Sequence, residues 1–230
     1  VGQWKRAWYY PIENENMHEA VQRESKAARD SAGILDASTL GKIDIQGSDA
    51  SEFLNRVYTN AWSKLEVGKC RYGLMLNEDG MVYDDGVTTR LNENHYIMTT
   101  TTGGAANVMG KLEDFLQTEW PELDVFLTSI TDHFATVSVC GPNSRKILNK
   151  IIPNLDLSDE NFPHMSFKDA HIDKIKPGFQ SKSSVTAISH KMSEKDLVVV
   201  TKAQQELIDY GIIVSKYEFE DKGEELAGAY

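Results

Sequence analysis

The chain has 230 residues, a formal net charge of −11 and 40% hydrophobic residues, which is enough material for one large globular domain or two small ones. That acidity, with no basic stretch to neutralise phosphates, argues against a nucleic-acid binder. No run reaches the roughly 18 apolar residues that a membrane span needs.

The opening, VGQWKRAWYYP, starts without methionine and has no signal-peptide core, so an excised piece of a longer protein is expected. Trp4, Trp8, Tyr9 and Tyr10 form an aromatic patch suited to subunit or domain packing. Residues 17–31 predict a helix with a small apolar face of Ala20, Val21, Ala27 and Ala28, and Gly33 stands where a C-cap belongs. GILDAST and GKIDIQG read as strands, the second alternating Ile43 and Ile45 with Asp44 and Gln46. Ser48 or Asp49 can cap a helix through Tyr58 that carries Phe53, Leu54 and Val57 on one face.

Residues 69–102 form a hairpin-rich block with turns at 77–80 and 92–94. Gly103 and Gly104 end it and open a helix over residues 105–120, stopped by Pro121. DVFLTSI and FATVSVCG are strands, and Pro142 suits the first turn of a helix through Ile151. Beyond Ile172, DKIKPGFQSKSS is loop-like, residues 196–219 read as strand, helix, strand, and the last eleven residues as a frayed tail. Antiparallel strands interleaved with covering helices predict an α+β fold, with ferredoxin-like subdomains. Cys70 and Cys140 lack any Cys-x-x-Cys spacing and the six histidines are scattered, so reduced thiols, a cytoplasmic location and no metal site are expected.

Inside the hairpin block, Asp84 and Asp85 interrupt a strand of β-branched and aromatic residues. Two Asp-Gly steps, Asp79-Gly80 and Asp85-Gly86, cannot both be tight turns, because only Met81 to Asp84 would separate them. The second is therefore expected to be a bulge, a device common beside active sites. Charges that merely solvate an edge strand are the simpler explanation of the pair, and the pleat does not decide which aspartate matters.

The segments SAGILDASTLGKIDIQGSDASEFLNRVYTN, GKCRYGLMLNEDGMVYDDGVTTRL, HYIMTTTTG and CGPNSRKIL, in that order, resemble the folate-binding aminomethyltransferase-like family. The family includes the glycine-cleavage T-protein and flavin-dependent sarcosine- and dimethylglycine-oxidizing enzymes, and the resemblance in VGQWKRAWYYP, LDASTLGKIDIQG and TTTTG is to the alpha subunit of heterotetrameric sarcosine oxidase. It covers residues 1–172, which it implies are an incomplete folate-binding domain, with residues 173–230 a divergent, truncated or frame-shifted end. QSKSSVTAISHKM lacks the Gly-Glu pair of the family's next strand motif, and nothing matches its later arginine-bearing segment.

The resemblance implies that Asp85 faces the pterin and N10 of tetrahydrofolate, as a base or an electrostatic stabiliser of an iminium-like cation. It places Tyr72 along the folate, Leu40 against the pterin, and Thr101, Thr102 and Gly103 in a loop of further contacts. Packing, β-propensity and core burial explain these neighbours equally well at the level of residue type. With no Gly-x-Gly-x-x-Gly fingerprint, no flavin or nicotinamide is expected on this segment, and flavin chemistry falls to a partner subunit. Three readings follow: a one-carbon-accepting component of a sarcosine-oxidase-like enzyme, inactive alone; a catalytically silent folate-family fragment; or an aminomethyltransferase of glycine-cleavage type.

Overall fold

Asn16 starts the first helix with a capping box: its side chain accepts from the backbone N–H of His18 and Glu19, and the Glu19 carboxylate accepts from the Asn16 N–H. In this computed structural model, residues 7–170 are described, together with the backbone of 171–172, 183–189 and 197–201. Trp4, residues 173–182 of the loop expected over 173–184, and the final helix, strand and tail lie outside the described residues; Ser183 and Ser184, expected in that loop, are instead strand.

Helix α1 (Met17–Asp30) leads into β1 (Gly33–Asp36), and the chain then crosses to β2 (Gly41–Gln46). Helix α2 (Ala50–Val57) is followed by the meander β3 (Cys70–Leu76), β4 (Val82–Asn92) and β5 (His95–Thr100). Helix α3 (Ala105–Asp114) continues as a π-turn over Phe115–Glu119 before β6 (Phe126–Ser129). Next come β7 (Ala135–Cys140), α4 (Ser144–Ile151), β8 (Phe167–Ile172), β9 (Ser183–Ser189) and β10 (Leu197–Thr201).

The strands form two five-stranded sheets, in the orders β1-β7-β10-β9-β8 and β3-β4-β5-β2-β6, with antiparallel pairing throughout. This is the α+β architecture the sequence predicts. One face of the β3-β4-β5-β2-β6 sheet packs on α2 and α3 through Ile43, Ile45, Phe53, Met98 and Leu112, with Trp62 fully buried among them. Each such side chain contributes about 1.5–3 kcal/mol by leaving water. Val137, Val139, Leu148 and Phe162 make a second core under the other sheet.

Four local expectations are corrected. Gly33 does not cap α1; Ser31 does, and Gly33 begins β1 where a Cβ would meet Ala28 Cβ at 3.0 Å and Cys140 Sγ at 3.2 Å. Asp49 holds the N-cap position of α2, but its carboxylate makes no cap hydrogen bond and accepts from the Asp124 N–H at 2.9 Å instead. Pro142 stands two residues before α4, whose N-cap is Asn143. β8 and β9 add strands that local alternation did not mark, since each is defined by its partner.

Candidate functional site

The β3–β4 hairpin turns at Asn77 to Gly80, with Gly80 at φ +78° and its N–H donated to Asn77 O at 2.9 Å. On the way back, Val82 pairs with Leu76 and Asp84 with Met75, leaving Tyr83 as the extra residue. The bulge therefore falls at Tyr83, not at Asp85-Gly86. Its effect is to shift the pleat by one. Leu76 and Val82 share the uncovered face with Leu74 and Asp85, while Met75 and Asp84 share the face packed on α2 and α3.

Asp84 is consequently 3% exposed. Its carboxylate accepts from the Thr101 hydroxyl at 2.6 Å and from the Thr101 N–H at 3.2 and 3.3 Å. The Thr101 hydroxyl in turn accepts from the Gly104 N–H at 3.1 Å, at the head of α3. A buried carboxylate is thus held by two donors of Thr101, close to the positive end of a helix. Gly104 is required here, since a Cβ would approach Asp84 Oδ1 to 2.8 Å.

Asp85 meets a different partner. The Tyr72 hydroxyl donates to its Oδ2 across the hairpin. That hydrogen bond to a carboxylate, with burial and the charge itself second to it, pushes the Tyr72 phenol up to about 12. Tyr72 keeps 42% of its surface exposed, and Leu74 and Val87 flank the pair as the residues opposite Asp85 and Tyr72. The result is one carboxylate, oriented by a phenol, on an otherwise apolar patch of sheet.

The remaining predicted residues gather beside it. Thr39 donates to or accepts from Thr102 at 3.0 Å, which sets the turn bearing half-buried Leu40 against the loop of Thr101, Thr102 and Gly103. Gly103 is exposed, with open space around it. The structure thus pairs Tyr72 with Asp85, and Thr39, next to Leu40, with Thr102; Asp84, beside Asp85, bonds Thr101, beside Thr102.

The match to known proteins decides the family. A family model described as the GCVT N-terminal domain matches residues 1–183. The chain belongs to the GCVT N-terminal domain family. A second model, described as a domain of unknown function, matches residues 153–228. Sarcosine oxidase subunit alpha from Corynebacterium sp. strain U-96 is 55% identical over 193 residues, covering 84% of this chain and 20% of that protein. The chain therefore spans about a fifth of that relative's length. The fold is shared with glycine cleavage system aminomethyltransferase T from Bartonella henselae, with TM-score 0.69 and 20% identity over 87% of this chain and 48% of that one. A chain of the heterotetrameric sarcosine oxidase from Corynebacterium sp. U-96, in complex with pyrrole 2-carboxylate, gives a TM-score of 0.51 at 13% identity, covering 80% and 83%.

Within this GCVT N-terminal domain, three neighbours of the site escaped the sequence reading. Thr39 was hidden in a short turn, and Lys42 in the polar phase of an alternating strand. Tyr58 ends α2 and packs edge-on to Trp62, with ring centroids 6.2 Å apart. Burial, with Asp84 and Asp85 adding to it, pushes the Tyr58 phenol well up. An aromatic at a helix end ordinarily signals core, and nothing in the local sequence marks its approach to both carboxylates. A separate groove of about 310 Å³, between the π-turn and β6 and lined by Leu116, Gln117, Val125 and Phe126, includes none of these residues. Among the described residues no cluster of three or more His, Cys, Asp or Glu could hold a metal, and no helix is long and apolar enough to cross a membrane.

Proposed function

We propose that this domain presents tetrahydrofolate to a one-carbon unit released by amine oxidation, as part of a sarcosine-oxidase-alpha-like protein whose flavin chemistry resides on a partner subunit. The observation that carries the reading is the Tyr72–Asp85 pair on the uncovered face of the hairpin. Identity of 55% to a sarcosine oxidase alpha subunit supports the choice of system. Tetrahydrofolate supplies nitrogens that take up carbon at the formaldehyde level, giving 5,10-methylenetetrahydrofolate.

The residues fit such a ligand. A flat heterocycle with N–H groups at its edge suits an apolar strip of Leu74 and Val87 beside a single carboxylate. Asp85 accepts N–H donors and stabilises positive charge developing near them. Tyr72 fixes the rotamer of Asp85 and offers its ring as a wall, while Leu40 closes the side toward Thr102. The two donors of Thr101 commit Asp84 to the fold, which leaves Asp85 as the carboxylate on the uncovered face.

The test compares Asp85→Asn with Asp84→Asn in the assembled protein, scored for methylene transfer to tetrahydrofolate. Loss of a charge that stabilises a developing cation lowers the rate by about 10²–10³-fold. Asp85→Asn is expected to show that loss, and Asp84→Asn a far smaller one per folded molecule. Equal effects, or wild-type transfer in Asp85→Asn, would remove the assignment.

A further inference from the structure

Lys42 is a charged side chain with 2% of its surface exposed. It lies on β2, one residue after the chain crosses from β1 in one sheet to β2 in the other. Its ammonium donates to two neutral acceptors, the carbonyl oxygens of Ser38 at 2.9 Å and Leu40 at 2.7 Å. Both belong to the crossing itself, residues 37–40. A buried ammonium is a poor way to fill space, because a methionine of similar length would occupy it without the desolvation cost. Its position over two carbonyls of one turn is what an apolar side chain could not reproduce.

The crossing is tied at its other points as well. The Ala37 N–H donates to Thr136 O at 2.8 Å, Leu40 N–H returns to Ala37 O at 3.1 Å, and Thr39 bonds Thr102 at 3.0 Å. Thr102 belongs to the loop that Asp84 anchors through Thr101. Two buried charges of opposite sign therefore pin two turns, and the turns meet at the Thr39–Thr102 contact.

We propose that Lys42 is a positioning residue: its ammonium holds residues 37–40 in the shape that presents Leu40 and docks Thr39 on Thr102. The role in ligand binding rests on the folate reading of the site. Burial lowers the Lys42 pKa to about 8, against the upward pull of Asp132 and Asp36, so the ammonium is largely charged at neutral pH.

Amide hydrogen exchange on the whole chain near pH 7 tests this with Lys42→Met, Lys42→Arg and Thr39→Val. In Lys42→Met the Ala37 and Leu40 amides are expected to exchange at least about tenfold faster, as befits loss of a charged donor. The β3–β4 hairpin amides should stay unchanged, and Lys42→Arg should restore part of the protection. Thr39→Val should loosen residues 101–104 while sparing the Ala37 amide. Unchanged protection in Lys42→Met overturns the proposal, as does a loss spread evenly over both sheets. If Lys42→Met does not fold, Lys42→Arg decides on the same amides: faster exchange confined to Ala37 and Leu40 supports the proposal, and unchanged or evenly lost protection overturns it. A parallel titration with tetrahydrofolate separates the two ideas. No binding by the wild-type chain up to about 10 mM tetrahydrofolate counts against the site's folate reading and leaves exchange to judge Lys42. A Lys42→Met chain that loosens the turn yet binds as wild type overturns the link to binding.

Discussion

At the scale of single residues, Asp84 and Asp85 are chemical twins with opposite tasks. Asp84→Ala strands the Thr101 N–H and hydroxyl beside the head of α3. Removing a buried charged acceptor costs about 2–4 kcal/mol, or roughly 5–10 °C in melting temperature for a chain of this size. Asp85→Asn leaves an exposed phenol with a neutral amide oxygen in place of the carboxylate and should cost under about 1 kcal/mol. Thermal unfolding of the two variants checks this; similar losses would contradict the division of roles. Lys42 gives a second prediction with a definite sign. Its folded-state pKa, about 8, lies below the ordinary 10.5, so between those values the unfolded chain holds a proton that the folded chain has released. Stability contributed by Lys42 therefore rises with pH across that window, by at most about 3 kcal/mol. Urea unfolding of wild type and Lys42→Met at pH 7, 8.5 and 10 should show the gap moving in favour of wild type. A gap that is flat or falls would rule out the burial effect.

At the scale of elements, Gly86 shows where local reading loses information. A glycine inside a strand signals either a bulge or a close backbone approach, and sequence alone does not separate them. Here it is an approach: a Cβ on Gly86 would lie 1.9 Å from Thr99 O. β5 stops pairing with β4 just beyond Thr88, and the Thr99 hydroxyl takes over the Val87 N–H at 2.9 Å and Val87 O at 3.1 Å. Gly86→Ala must push these strands apart and is expected to cost about 2 kcal/mol or more. Gly110, inside α3 with nothing within 4 Å of a Cβ, behaves oppositely. Gly110→Ala should stabilise the chain by about 0.5–1 kcal/mol through helix propensity. Calorimetric unfolding of the pair reads both signs at once. The helices, the two turns of the meander and β2 were legible because each carries its own pattern of apolar spacing or turn residues. β8 and the bulge at Tyr83 were not, because each is set by a partner strand distant in the chain or by a pairing register.

For the whole molecule, composition argued against a nucleic-acid binder but pointed to no chemistry, and the order of several motifs carried the family. The residue pattern left Asp84 and Asp85 equivalent; only the one-residue shift at Tyr83, visible in three dimensions, sends one inward and the other out. That outward face is the ground for a last prediction. Small-molecule sites usually bury 70–90% of their ligand, whereas Tyr72 at 42%, Leu76 at 36% and Val82 at 57% exposure form a shallow, open surface. One carboxylate and an apolar strip leave most of a pterin in contact with water. This 230-residue chain alone is therefore expected to bind tetrahydrofolate with a dissociation constant on the order of 0.1 mM or weaker. Asp85→Asn and Tyr72→Phe should weaken even that, since each disrupts the Tyr72–Asp85 pair on that face. Titration calorimetry with tetrahydrofolate measures it directly. A micromolar constant, or one indifferent to Asp85, would mean that the ligand is held by other parts of the chain than the hairpin face.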